Sequence, residues 1–390
     1  MTKLLVFAER MLPSTQTFIP LQLQELKRYM PHYVGLIPAE RNLRLHHPSV
    51  LLHSDRSFFS RSGRELYRWF GIAPRFHKHL STLGAKLIHG HFAEGGPAAL
   101  SLSRRLNLPL ILHLRGGAEM MTDAELRGHT FEWPYMIRRH ALFQRASLFI
   151  CVSKFIHERA LEAGFPAEKL RVHYTGLDCD RFSPQLSVQG KDPKLVLHIG
   201  RLVQYKGCDY LLRAMKQVQQ QIPDAHLAII GDGEFRPALE TLNAQLGTGA
   251  RFLGELPQDQ VRSWLEKARI FCSPAVTQKG GMSEAFGNVF SEAQCMGVPV
   301  VSFRHGGIPE TMVEGITGLL AQERDTEMLA THLHRFLSDD GFWMQARSQG
   351  MDWVRRTFSI RTQTDRLEDI YDQVISHFKP ESFEQVSIPE

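Results

Sequence analysis

Short continuous apolar runs, each followed by a helical pattern, recur along almost the whole chain. In the first half they are KLLVFA (3–8), AKLIHGHF (85–92), LPLILHL (108–114), SLFICV (147–152) and LRVHY (170–174). In the second they are KLVLHIG (194–200), AHLAIIG (225–231), RIFCSP (269–274) and VPVVSF (298–303). Helical patterns fill the intervals, including residues 17–30 and 133–146, and then about 207–221, 234–246 and 258–267. Strands that are apolar on both faces and alternate with helices belong to parallel sheets covered on both sides. Each half has enough strands for its own sheet, and 390 residues suffice for two domains. The predicted fold is α/β, with two doubly wound, Rossmann-like domains. FSPQLSVQGKDPK (182–194), rich in Pro, Ser, Gly and charge, marks the boundary and gives domains of 1–185 and 186–365. Residues 366–380 repeat apolar side chains at helical spacing (Leu367, Ile370, Tyr371, Val374, Ile375, Phe378). This helix is expected to pack back on the N-terminal domain. Two such domains are expected to face each other across a cleft. Ligands bind such sheets beyond the carboxyl ends of the strands, so the chemistry is sought there.

Composition narrows the classes. A 43% hydrophobic and 22% charged chain is that of a soluble globular protein with a sizeable core. The opening MTKLLVFAERMLP reads as a first strand rather than a signal peptide. No apolar run approaches the roughly 20 residues needed to span a bilayer. Cys151, Cys179, Cys208, Cys272 and Cys295 are scattered without a C-x-x-C, as expected of reduced thiols in a cytoplasmic protein. The net charge of +5 favours anionic partners, but no recognition helix or aromatic-basic repeat points to nucleic acid.

Two places after strands carry candidate chemistry. KLVLHIG runs into RLVQYKG, so Arg201 and Lys206 enter a loop that closes at Gly207. Two cations and a glycine there suit a diphosphate; read alone, they serve equally as solvated surface charges. After RIFCSPA comes SEAFGNVFSEAQCMGVPVV (283–301), with Glu284 and Glu292 flanking Gly287. A helix is expected from near Gly287 to Met296, capped by Gly297. The N–H groups at its start, by Gly287, Asn288 and Val289, form an anion seat. Glu284 precedes the helix, and Glu292 lies near its apolar face, where a carboxylate is costly unless hydrogen-bonded. Sugar or ribose hydroxyls are apt partners; two structural glutamates capping neighbouring turns is the alternative. IIGDGE (229–234) lacks the third glycine of a dinucleotide fingerprint, and no Walker A loop is present, which disfavours a nicotinamide enzyme. His89 and His91 alternate on one strand face, a spacing a metal could use, but no third ligand is evident, so no metal is expected.

GRLVQYKG, GDGE and SEAFGNVFSEAQCMGVPVVSFRHGGIPE strongly resemble the retaining glycosyltransferases of family 4, which adopt the GT-B fold. The E-x7-E spacing with an internal glycine is the most specific mark. The resemblance runs from VSKFIHERALEAGFPAEKLRVHYTGLDCDRFSP (152–184) to about residue 320. In the first domain, PSTQTF (13–18) and HGHFAEGG (89–96) look like the subgroup that builds bacterial exopolysaccharides of the colanic acid type. The resemblance implies that Arg201 and Lys206 hold the diphosphate of a nucleotide sugar, helped by the N–H groups of Gly287, Asn288 and Val289. It places Glu292 on the ribose, Glu284 on the donor sugar, and the turn around Leu256 on the base through its backbone. Arg201, Lys206 and Glu284 would carry catalysis. No cofactor or metal is implied, since fixed cations and helix-end N–H groups stabilise the charge that grows on the leaving diphosphate. Retaining hydrolases set two carboxylates about 5 Å apart. This family is thought instead to use front-side attack, making Glu284 a positioning residue.

Two departures concern the first domain. Where the family often has His-Gly after the strand matching LPLILHL, this chain has Arg115-Gly116, with His113 two residues earlier on the same face. His91, His113, Arg115 and Gly116 are the candidates for the acceptor or donor-sugar side. Arg115 is expected to meet an anion, or to form an ion pair such as one with Glu119. Gln16 stands where the subgroup motif often has Glu. Residues 56–79 mix Arg56, Arg61, Arg64, Arg68, Arg75 and Lys78 with Phe58, Phe59, Tyr67, Trp69, Phe70 and Phe76, against one acid, Glu65. That mixture suits the surface of an anionic membrane; a helix packed on its own domain with a basic outer face is the other reading. The expectation is a cytoplasmic hexosyltransferase, peripheral on the inner face of the plasma membrane, with a lipid-linked saccharide acceptor. Its rivals are a synthase of the same fold using a small soluble acceptor, and a non-catalytic binder of sugar nucleotides.

Overall fold

A computed structural model describes residues 1–13, 16–38, 45–185, 187–278 and 281–380. Ser14 and Thr15 of PSTQTF, and Leu186 at the expected boundary, lie outside the described residues. The chain divides into two compact units. The first comprises Met1–Val152, His157–His173 and the chain from Gln363 onward; the second comprises Ser153–Ile156 and Tyr174–Thr362. The division thus falls at Tyr174 rather than at 185, because the segment after the last strand of the first unit already packs in the second.

The first unit is a seven-stranded sheet of β1 (Thr2–Phe7), β2 (Tyr29–Gly35), β3 (Ser49–Leu51), β4 (Leu87–His91), β5 (Leu110–Leu114), β6 (Leu148–Cys151) and β7 (Leu170–Val172). Its order is β3-β2-β1-β4-β5-β6-β7, and every pairing is parallel. The second is a six-stranded parallel sheet of β8 (Leu195–Ile199), β9 (His226–Ile230), β10 (Arg251–Phe252), β11 (Ile270–Cys272), β12 (Val300–Phe303) and β13 (Gly318–Ala321). Its order is β10-β9-β8-β11-β12-β13. In both sheets the first strand of the unit lies inside, so the order reverses beside it, as in doubly wound sheets. Leu4, Leu5, Leu87, Ile88, Ile111 and Leu112 are fully buried, as are Val196, Leu197, Ile270 and Phe271, because helices cover both faces.

The helix expected over 17–30 is shorter. It spans Phe18–Gln24, and β2 begins at Tyr29. Pro31 cannot continue a helix, and the flanking aromatic and β-branched residues favour a strand. Strands β2, β3, β10 and β13 escaped the reading by apolar runs because they are short or interrupted by Pro and His. In the C-terminal helix, Ile360–His377, residues Leu367, Ile370 and Tyr371 are buried in the first unit, with Tyr371 donating or accepting a hydrogen bond at His89 Nδ1, 2.7 Å away.

The basic aromatic stretch forms α1 (Phe58–Phe70), capped by the Ser57 side chain and ended by Gly71 in the left-handed conformation. It is inverted relative to an ordinary surface helix. Phe59, Leu66 and Phe70, at i, i+7 and i+11, are 83%, 60% and 65% exposed. Ser60, Arg64, Tyr67 and Arg68 face inward and are buried. Arg68 Nε lies 3.2 Å from Glu9 Oε2, and Arg64 Nε lies 3.7 Å from Glu9 Oε1. Arg68 also pairs with Glu65 at 3.0 Å. Two of the six cations counted from sequence as surface charges are therefore buried and neutralised. The outer face of the helix is apolar rather than basic.

Candidate active site

The second unit assembles one group of the predicted residues. Arg201 follows β8, and the chain makes a tight turn at Gln204–Lys206 before α2 (Cys208–Gln221). Gly207 joins turn to helix with φ +67°, and a Cβ there would lie 1.9 Å from the Pro274 carbonyl oxygen. Only glycine lets this turn press against the segment after β11. That approach brings Lys206 to Glu284 as a direct ion pair, with side chains 16% and 17% exposed. Burial opposes the Lys206 charge, but Glu284 outweighs it and holds the ammonium above its ordinary value. Arg201 stays exposed beside them, its Nη2 3.3 Å from the Tyr205 hydroxyl.

Helix α3 (Asn288–Cys295) begins where expected and ends one residue before the predicted Met296. Gly287 precedes it with φ +86°, and a Cβ there would lie 2.7 Å from the Phe290 ring. The Asn288 and Val289 N–H groups at this start have no preceding helical carbonyl to bond. Glu292, one turn in, is pushed by burial from 4.5 to about 7, opposed by Arg181. Leu256 follows β10 in a segment tied to the end of β9 by the Gly231 N–H donating to the Gly254 carbonyl at 2.8 Å.

Residues the sequence reading did not single out hold Glu284 in place. Its N–H donates to His305 Nε2 at 3.2 Å, and its carbonyl accepts from the Gly307 N–H at 2.9 Å. His305 Nδ1 therefore carries the ring proton and donates to Glu323 Oε2 at 3.1 Å. Glu310 accepts from the Lys154 and Phe155 N–H groups at 2.7 and 2.9 Å. The signal was the run RHGGIPE (304–310), whose adjacent glycines allow such close backbone approach.

The first unit gathers the other candidates. His91 and His113 are cross-strand partners on β4 and β5, and His89 stacks beside them. His113 is thus the third histidine that sequence spacing did not reveal, and the three offer ligand atoms within 4.8 Å of one another. Arg115 decides their chemistry. Its Nε donates to His91 Nδ1 at 3.3 Å, and its Nη2 donates to His113 Nδ1 at 3.2 Å. A guanidinium only donates, so both rings keep their proton on Nε2 and offer no lone pair there. As arranged, the Nδ1 atoms of His91 and His113 are both taken by Arg115. Burial holds all three rings neutral, well below the ordinary histidine value. Arg115 also lies over the Phe18 ring, 4.8 Å from its centroid. Glu119, the partner suggested for Arg115, accepts instead from the Gly116 N–H at 2.7 Å.

Comparison with known proteins fits this plan. The family described as Glycosyltransferase Family 4 matches residues 23–181, and Glycosyl transferases group 1 matches residues 193–339. The chain is 30% identical over 263 residues to the GDP-mannose-dependent monoacylated alpha-(1-6)-phosphatidylinositol monomannoside mannosyltransferase of Corynebacterium glutamicum, covering 63% of this chain and 68% of that one. It is 30% identical over 258 residues to an Escherichia coli protein provisionally assigned as colanic acid biosynthesis glycosyltransferase WcaL, covering 65% of this chain and 61% of that one. The crystal structure of Anabaena Alr3699/HepE in complex with UDP and glucose superposes with a TM-score of 0.76 at 19% identity, over 95% of this chain and 100% of that one, a likeness of fold. Two doubly wound domains of this plan are the GT-B fold. Within that class, the chain belongs to glycosyltransferase family 4.

Proposed function

We propose that this glycosyltransferase moves a hexose, with retention of configuration, from a nucleotide-diphosphate sugar to a lipid-linked saccharide in bacterial surface polysaccharide synthesis. The observation that carries this reading is the Lys206–Glu284 pair beside the start of α3. In the proposed complex, Lys206 and Arg201 hold the diphosphate, with the N–H groups at Gly287, Asn288 and Val289. Lys206 then exchanges Glu284 for phosphate oxygens, which frees the Glu284 carboxylate to accept from donor-sugar hydroxyls. Glu292 takes the ribose, and the backbone around Leu256 meets the base. As the sugar–phosphate bond breaks, charge grows on the diphosphate, and the two cations and the helix start are already aimed at it. The leaving phosphate takes the acceptor's proton on the same face, so neither a metal nor a carboxylate nucleophile is required. The soluble-acceptor alternative has less support, because the C. glutamicum relative is named for a phosphatidylinositol mannoside acceptor.

The same reading places α1 against an anionic membrane. Its outward Phe59, Leu66 and Phe70 form an apolar stripe, with Phe58 and Ile72 also exposed. Exposed Arg61, Arg75 and Lys78 flank them. Apolar side chains with cations beside them suit the headgroup boundary of an anionic leaflet. Among the described residues, no helix is long and apolar enough to cross a membrane, so the proposed contact is peripheral.

A thermal-shift panel of nucleotide sugars tests the donor reading, since a bound donor stabilises the fold in proportion to the logarithm of its concentration over Kd. One nucleotide sugar should stand out, and its shift should collapse in Lys206→Ala. An equal response to every nucleotide sugar and to none of their nucleotides would sink the assignment.

A further inference from the structure

Two of the five thiols differ from the rest. Cys151, Cys208 and Cys272 are fully buried, and burial pushes each of them up, which leaves them inert. Cys179 is half-buried, and it shares the second unit with the buried Cys295, the last residue of α3. The two are 116 residues apart in sequence but in contact in the fold. Cys295 Sγ lies 4.0 Å from the Cys179 carbonyl oxygen, and the Cys295 S–H donates to the Cys179 sulfur. Arg355, on the helix Asp340–Phe358 that packs on α3, stands beside both thiols. The hydrogen bond from Cys295 holds the Cys179 thiol below its ordinary value of 9.0, against burial and with help from Arg355. The same bond pushes the Cys295 thiol up. A partly exposed thiol beside a cation, with a second thiol in contact, is the arrangement in which cysteine oxidises to a disulfide.

We infer that Cys179 is an oxidation-sensitive thiol and Cys295 its resolving partner, and that they form a reversible disulfide on the helix of the proposed nucleotide-sugar seat. The oxidant is a peroxide. The Cys179 thiolate attacks one peroxide oxygen and the O–O bond breaks, which leaves Cys179 as a sulfenic acid. The departing hydroxide takes up the proton that the Cys179 thiol released, forming water. The Cys295 sulfur then displaces the sulfenic hydroxyl, which leaves with the Cys295 proton as a second water. Two thiols thus give two electrons to one hydrogen peroxide, which becomes two waters. A small thiol restores the pair by two exchanges and is itself oxidised to its disulfide.

The bond reaches the seat through the backbone. Bonded sulfurs lie about 2.05 Å apart, closer than hydrogen-bonded ones, so closure draws the end of α3 toward Cys179. Glu292 lies one turn before Cys295 on α3. Arg181, whose charge acts on Glu292, lies two residues after Cys179. Oxidation therefore displaces both segments around Glu292 and weakens the nucleotide. The thiol chemistry goes beyond the transferase reading, and only its effect on the nucleotide rests on that reading.

The test treats the full-length chain with hydrogen peroxide, then with dithiothreitol, and maps its thiols by alkylation and peptide mass. A peptide pair linked through Cys179 and Cys295 should appear with peroxide and vanish with dithiothreitol, while Cys151, Cys208 and Cys272 stay reduced. In Cys295→Ala, Cys179 should stop at the sulfenic acid and be captured by dimedone. Cys179→Ser, at the half-buried position, is the second variant should Cys295→Ala fail to fold. It should form no internal disulfide and should bind nucleotide equally before and after peroxide. UDP and GDP binding is followed in both states of the unmodified sequence. The preferred nucleotide should bind at least about fivefold more weakly to the oxidised form, the low end of coupling between linked sites. Cys179 and Cys295 left unlinked after peroxide, or linked to other cysteines, would overturn the inference. Equal nucleotide affinity in the two states would overturn the coupling to α3. Failure of the reduced chain to bind either nucleotide would instead overturn the transferase reading, with the disulfide still decided by the mapping.

Discussion

The two units share a sheet plan but surround their candidate residues differently, with an ion pair in the second and imidazoles held by Arg115 in the first. In the second, Lys206 and Glu284 meet as a direct ion pair. In the first, burial pushes Glu9 and Glu119 from 4.5 to about 7 and drives His91 and His113 toward neutrality. A paired cation is poised for a ligand that carries charge. The contrast follows from the backbone. Gly207 lets Lys206 swing against Glu284, whereas His91 and His113 sit on neighbouring central strands with Arg115 donating to both.

Breaking the pair in the second unit should have the largest effect. Lys206→Ala leaves Glu284 without its counter-ion and removes a cation from the leaving group. Turnover with the preferred nucleotide sugar should fall by about 10²–10³, the scale of removing one preorganised donor. A loss below tenfold, measured by product formation, would show that Arg201 and the helix start suffice. Gly207→Ala strains the same junction without touching a charge. With φ +67° and a Cβ 1.9 Å from a carbonyl oxygen, it should destabilise the fold by roughly 2–4 kcal/mol, read by denaturant unfolding.

The first unit should respond to pH. A carboxyl whose folded pKa lies above its unfolded value binds more protons when folded. Its contribution is fully present below the unfolded value and lost as pH rises toward the folded one. Glu9 and Glu119 place that loss between 4.5 and about 7. The Tm should fall across this window, and Glu9→Gln with Glu119→Gln should flatten the slope. Lys206, raised above 10.5, acts at the alkaline end instead, where its contribution is lost as pH passes its folded value. A Tm that rises from 4.5 to 7 would contradict the burial assigned to the first unit.

The smallest effect on stability belongs to α1. Phe59→Ser with Phe70→Ser should change unfolding free energy by less than about 0.5 kcal/mol per site, because both side chains face outward. The same pair should abolish flotation with anionic liposomes. Unchanged flotation would remove the membrane from the proposal and leave the exposed stripe unexplained.

How legible this was depended on range. Arg201, Lys206, Gly287 and Glu292 sit at strand ends and a helix start, where the pattern of apolar runs leads directly. Their elements appear close to the predicted bounds because continuous apolar strands and capped helices are local signals. Strand β2, with Pro31 inside it, escaped the reading by apolar runs because its identity comes from pairing with β1, a non-local fact. The third histidine was invisible for the same reason, since His91 and His113 are neighbours only across strands.

The sequence by itself determined the parallel two-sheet plan and the family, and it singled out the residues proposed for the nucleotide-sugar seat, because periodicity, glycines and caps act over a few residues. Only the tertiary structure decided which side chains neutralise one another. It turned Arg64 and Arg68 inward onto Glu9, gave Arg115 to the histidines, and joined Lys206 to Glu284. Charge in a protein is felt across space rather than along the chain, so its partners are set by packing.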